Sequence, residues 1–106
     1  MVASGRLPYR FHPEARREFD RQIEWFADEN LDVAQDFLDV SHARIDDVRW
    51  MPYAYSPYLH GTRKAGLGPY PLRLIYRVKE GVVQIIAFAH TSRRPGYWRE
   101  RLDDDI

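Results

Sequence analysis

Residues 70–101 read YPLRLIYRVKEGVVQIIAFAHTSRRPGYWRER, and this stretch decides the fold. Leu72, Leu74, Tyr76 and Val78 alternate with Arg73, Ile75, Arg77 and Lys79. One face of such a strand is apolar and the other largely cationic. Lys79-Glu80-Gly81 marks a tight reversal, since Gly81 can take the positive φ that hairpin turns need. Residues 82–89 then form a nearly unbroken apolar, β-branched run, the composition of a central strand covered on both faces. At its exit stand His90, Arg93, Arg94, Tyr97, Trp98 and Arg99. This is either a functional rim or a solvated end that Tyr97 and Trp98 close over the core.

Working outward, residues 6–12 predict a short first strand with Leu7, Tyr9 and Phe11 on one face. Pro13 suits the first position of a helix, and Glu14 follows where an anion meets the positive end of the dipole. Ala15, Phe19, Ile23 and Phe26, with Trp25 at the margin, make an apolar stripe reaching about Glu29. Glu14, Arg17, Glu18, Arg21, Glu24 and Asp28 form the expected solvated face. Asp32 can cap a second helix running to about Trp50, with Ala34, Phe37, Leu38, Ser41, Ile45 and Val48 on its inner side. The connection is short enough to force an antiparallel hairpin. Residues 51–59, MPYAYSPYL, contain two prolines and read as a loop. Residues 60–67 read as a weak strand, with Arg63 and Lys64 on opposite faces. Pro95-Gly96 opens a final helical turn or two over 97–102, and residues 103–106 are expected to fray.

These elements predict an α+β domain: a helical hairpin packed on a small twisted antiparallel sheet, in the order β-α-α-β-β-β with a short C-terminal helix. All 106 residues belong to one domain. Cysteine is absent, so disulfides and thiolate metal sites are excluded. No apolar run approaches a membrane span, and the opening MVASGRLPYR lacks the apolar core of a signal peptide. A cytoplasmic protein without membrane association is the expectation. The acids Asp36, Asp39, Asp46 and Asp47 fall around their helix without converging, which argues against a metal. No cofactor is called for.

The formal charge is zero, yet it is unevenly spread. Residues 13–51 carry five arginines against eleven acids, whereas residues 52–102 carry nine Lys or Arg against Glu80 and Glu100 alone. An acidic helical side and a basic sheet side follow, a dipole hidden by the neutral total.

The run Pro71-x-Arg73-x-Ile75-Tyr76-Arg77-Val78, the turn, Val82-Val83-x-Ile85-Ile86-Ala87-x-Ala89-His90 and then Arg93-Arg94-Pro95-x-Tyr97-Trp98 resembles the C-terminal half of RelE/ParE superfamily toxins. The opening Tyr9-Arg10-Phe11-His12-Pro13-Glu14-Ala15 is similar to that family's first strand and helix start. The resemblance covers roughly residues 8–102. It implies the same fold and the toxin component of a type II toxin–antitoxin pair, a plasmid stabilisation protein that inhibits growth and is neutralised by a cognate antitoxin in an oligomeric complex.

Two mechanisms are implied by that superfamily. RelE-like members are metal-free endoribonucleases that cut ribosome-bound messenger RNA; ParE-like members poison DNA gyrase by binding. On the nuclease reading, Arg73, Arg93, His90 and Tyr97 are the candidate catalytic residues, supplying cations for the phosphorane and groups for proton transfer. On the binding reading, Arg63, Lys64, Arg73, Arg93 and Arg94 are the candidate target or antitoxin contacts. The acidic hairpin and zero net charge differ from a protein built to enter a ribosomal site, where phosphate contacts dominate affinity. The expectation is therefore a ParE-like binding toxin, with the mRNA endonuclease as the alternative. An inert remnant that only engages an antitoxin is a third reading.

Overall fold

A computed structural model describes residues 5–106. Two helices, α1 (Pro13–Glu29) and α2 (Leu31–Trp50), form the hairpin. Five strands follow the order β1-β5-β4-β3-β2: β1 (Tyr9–Phe11), β2 (Ser56–Pro57), β3 (Arg63–Leu67), β4 (Tyr70–Lys79) and β5 (Val82–His90). The α+β architecture, the hairpin and the two core strands stand as the sequence predicts.

The caps explain how the hairpin closes. His12 N-caps α1, its Nδ1 accepting the Glu14 N–H at 3.0 Å. Asn30 serves both helices: its N–H donates to the Phe26 carbonyl, and its side-chain oxygen accepts the Asp32 N–H at 2.8 Å. Asn30 thus replaces Asp32 as the cap of α2, and Asp32 supplies the first-turn anion instead.

The sheet is mixed rather than wholly antiparallel, because β1 runs parallel to β5, with Tyr9 opposite Val83 and Phe11 opposite Ile85. β1 is also shorter than residues 6–12. Leu7 donates its N–H to the Arg49 carbonyl at the end of α2, and Pro8 has no N–H to offer a ladder. At the far edge Ser56 and Pro57 pair with Lys64 and Arg63, so part of the expected loop is a two-residue strand. Glu80 (φ 53°) and Gly81 (φ 74°) both take positive φ in the β4–β5 turn. A two-residue type I′ hairpin requires this.

β5 changes face midway. Ile75 lies opposite Ala87 and Tyr76 opposite Ile85, so Ile86 is an extra, bulged residue. Before the bulge Val83 and Ile85 face the hairpin; after it Phe88 does, packing against Phe19 with ring centroids 4.7 Å apart. Ile86, Ala87 and Ala89 face the other way, with Ile75, under Trp98. The second face of the sheet is thus not simply cationic. It carries a small core of its own, roofed by the C-terminal segment and its 3-10 turn, Arg99–Asp103.

That segment is anchored where fraying was expected. Asp104 accepts from His12 Nε2 at 2.7 Å, and Arg10 Nη1 donates to the Ile106 carbonyl at 3.1 Å. Partners from β1 and the start of α1 supply the order that local sequence does not.

Candidate functional site at the exit of strand β5

The site is assembled by the β4–β5 register. Leu72 pairs with His90 and Arg73 with Ala89, which brings the start of β4 beside the end of β5. The chain then reverses: Thr91 donates to the Pro71 carbonyl, Arg93 to the His90 carbonyl and Tyr97 to the Arg94 carbonyl. Tyr97 and Trp98 return beneath the sheet as a result. Arg73, His90, Arg93, Arg94 and Tyr97, separate in sequence, line one small hollow of about 40 Å³ together with Tyr58.

Cations on this face are held by rings rather than by acids. Lys64 Nζ lies 4.6 Å from the Tyr58 ring centroid and the Arg73 guanidinium 6.0 Å from the same ring. Arg93 stacks on Tyr97 at 3.8 Å, and Arg94 is exposed. Among the described residues none of these four forms an ion pair. Arg63 is separated from them. Its Nη1 donates to the Tyr53 and Tyr55 carbonyls at 3.2 and 2.7 Å, on the opposite side of β3 from Lys64, as alternation requires.

His90 is oriented by its own turn. Its Nδ1 accepts the Ser92 N–H at 3.0 Å and lies 2.7 Å from the Ser92 hydroxyl. A backbone N–H can only donate, so in the neutral ring the proton sits on Nε2, and the free edge of His90 is a donor.

One residue placed on the solvated face by the sequence is central here. Glu18 is buried, and the correction has a clear cause. β1 ends opposite Ile85, and the bulge turns Ile86 C=O and Phe88 N–H toward the edge it leaves open. Glu18 accepts the Phe88 N–H at 3.1 Å, and Arg101 Nη1 donates to the Ile86 carbonyl at 3.0 Å. Arg101 also grips Glu18 with both terminal nitrogens, at 2.8 and 3.0 Å, and the Tyr97 hydroxyl donates to Glu18 at 2.6 Å. Burial, reinforced by the Glu18 bond, pushes the Tyr97 phenol well above its ordinary value. Burial works against the Arg101 charge, but Glu18 outweighs it and raises the guanidinium. Helical spacing held one hint: Glu18 is three residues after Ala15 and beside Phe19, at the edge of the apolar arc.

A larger cleft of about 340 Å³ opens on the hairpin side of His90 and Arg93. Leu72 and Phe88 form its floor, Trp25 and Gln22 a wall, and Arg21 joins Arg93 at the rim. His90 and Arg93 line both hollows.

Chemically this is an anion-receiving surface. Neutral His90 presents a donor, and the Tyr97 proton is committed to Glu18. Among the described residues no group of three or more His, Asp or Glu side chains is placed to hold a metal, and no helix is long and apolar enough to cross a membrane.

Comparison with known proteins adds to this geometry. A family model described as the ParE toxin of type II toxin–antitoxin systems, parDE, matches residues 9–95. Among solved structures, a chain of the chromosomal ParDE toxin–antitoxin system from P. aeruginosa matches with a TM-score of 0.70 at 14% identity, covering 82% of this chain and 98% of that one. At that identity the likeness speaks for the fold. No curated protein sequence matches significantly.

Proposed function

The chain belongs to the family of ParE toxins of type II toxin–antitoxin systems, and on that premise we propose that it arrests growth by binding DNA gyrase and is neutralised by a cognate antitoxin in the cytoplasm. The surface that meets the target is Lys64 and Arg73 on Tyr58, Arg93 on Tyr97, and the exposed Arg94. Arg63 contributes by fixing the residue 53–55 loop beside it.

One observation carries the preference for binding over RNA cleavage. Metal-free cleavage needs a base for the 2′-hydroxyl. At this site His90 has its acceptor nitrogen tied to Ser92, and the Tyr97 hydroxyl is committed as a hydrogen-bond donor to Glu18. Four cations without counter-charges remain, and these are groups for docking an acidic surface. Arg73 and Arg93 do line one hollow, as the endonuclease alternative requires, so the experiment compares both. Purified protein is assayed side by side on gyrase supercoiling and on ribosome-bound messenger. Inhibited supercoiling with intact messenger is expected. Messenger cleavage with unaffected gyrase would replace this reading by the endonuclease. Inactivity in both, with antitoxin binding retained, would leave the inert remnant.

A further inference from the structure

The 340 Å³ cleft beside α1 has a composition that the target-binding surface does not account for. Trp25 stands at its wall with 61% of its surface exposed, on a helix whose other large apolar residues are covered. Its floor, Leu72 and Phe88, is the apolar edge of the main core. An indole left in water beside an apolar floor is a surface that gains by being covered.

The uncompensated charge around the cleft has one sign. Of the three arginines on α1, Arg16 pairs with Asp20 and Arg17 with Glu14, while Arg21 has no acid within ion-pair reach among the described residues. Arg93 has none either and rests on Tyr97. The one carboxylate at the base, Glu18, is neutralised by Arg101 and occupied by the Phe88 N–H and the Tyr97 hydroxyl. His90 adds an Nε2–H donor. Two uncompensated guanidiniums and an imidazole N–H around an apolar floor match an apolar side chain with a carboxylate next to it.

Building on the toxin reading, we infer that the cleft seats an antitoxin segment by an apolar residue, aromatic or long aliphatic, whose neighbouring carboxylate is held between Arg21 and Arg93. Because Arg93 also lines the smaller hollow, a carboxylate bound here withdraws that arginine from the target-binding cluster. Neutralisation then reaches the toxic surface from the cleft without covering Arg73.

The test uses N-acetyl-L-phenylalanine, an apolar side chain beside one carboxylate, and its uncharged amide, each titrated into the isotope-labelled full chain and followed by NMR. The acid is expected to move the Trp25 indole N–H and the His90 ring signals, to saturate in the millimolar range of so small a ligand, and to bind about tenfold more tightly than the amide. In Arg21→Gln, an exposed position, that preference should shrink to about threefold or less; in Trp25→Ala both ligands should weaken alike. Equal affinity for acid and amide, or shifts centred away from Trp25, would overturn the site. In cells, the Arg21→Gln/Trp25→Ala double variant should stay toxic and escape its antitoxin; full neutralisation would overturn the partner assignment. The titration does not depend on the gyrase and ribosome assays, so either reading can fail without the other.

Discussion

Arg93 and Arg101 both lie over the Tyr97 ring, at 3.8 and 5.3 Å from its centroid. Only Arg101 has a carboxylate. Its partner Glu18 is fully engaged and buried, and Arg101 is largely covered, with 15% of the arginine side chain and 8% of the glutamate exposed. Arg93, with Lys64, Arg73 and Arg94 near it, has rings for company and no acid. The same residue types therefore do opposite work on the two sides of one tyrosine. Where the counter-charge is supplied from within, the arginine closes the fold; where it is not, the cation stays open at the surface, which is what the proposed binding role requires. Zero net charge conceals this, because the acids that balance the sum are spent on the hairpin and in the clamp.

Breaking the closed side should have the largest effect. Arg101→Ala leaves Glu18 buried without its cation and Ile86 C=O without a donor, a loss of about 3–5 kcal/mol. Urea denaturation measures it. A loss below about 1 kcal/mol would mean that the clamp does not hold the C-terminal segment, and the contrast with Arg93 would collapse.

Tyr97→Phe sharpens the boundary between the two sides. The ring stays beneath Arg93, and only the hydroxyl donated to Glu18 is removed, costing about 1.5–3 kcal/mol as a bond to a charged group. It also carries a pH signature. Burial raises the Tyr97 phenol above its ordinary 10.0, and burial pushes Tyr76 up to about 12 against the lowering influence of Arg63. The folded protein therefore keeps protons that the unfolded chain gives up. The stability they confer is complete below about pH 10 and falls as pH rises through the folded values. Tyr97→Phe should make that alkaline decline shallower in thermal unfolding between about pH 9 and 11. An unchanged slope would place the raised phenol elsewhere.

What could be read from the sequence follows the same division. The hairpin and the main core were legible because Ala15, Phe19, Phe37 and Ile45 repeat at helical spacing and Leu72, Leu74 and Tyr76 at strand spacing. β5 was recognisable as a central strand, but its faces were not: a bulge at Ile86 flips the alternation inside an apolar run that shows none. The gathering of Arg73, His90, Arg93 and Tyr97 followed from two adjacent strands and a turn. Glu18 was misplaced because its partners Phe88 and Arg101 lie 70 and 83 residues away. Local pattern carries nothing over such distances. Arg21 read as ordinary helix surface and Trp25 as the margin of the apolar stripe, and only the missing ion pair and the neighbouring cleft set them apart.

The smallest effect on the fold is expected at Arg73, and it bears on function most directly. Arg73 is half-buried on Tyr58 with no acid to lose. Arg73→Ala should therefore cost at most about 1 kcal/mol in urea denaturation, the scale of a partly exposed cation–ring contact. Its toxicity then separates the two mechanisms. A contact to a binding target is worth about 1–2 kcal/mol, roughly tenfold in affinity, and higher expression would restore growth arrest. A group that stabilises charge arising only in a cleavage transition state costs ~10²–10³ in rate, which expression does not recover. We expect the graded response, measured as growth arrest across an inducer series. Complete loss at every level, with the fold intact, would make Arg73 a catalytic residue and return the protein to the nuclease reading. The open cations would then be poised for an RNA phosphate, and the tautomer argument at His90 would have to give way.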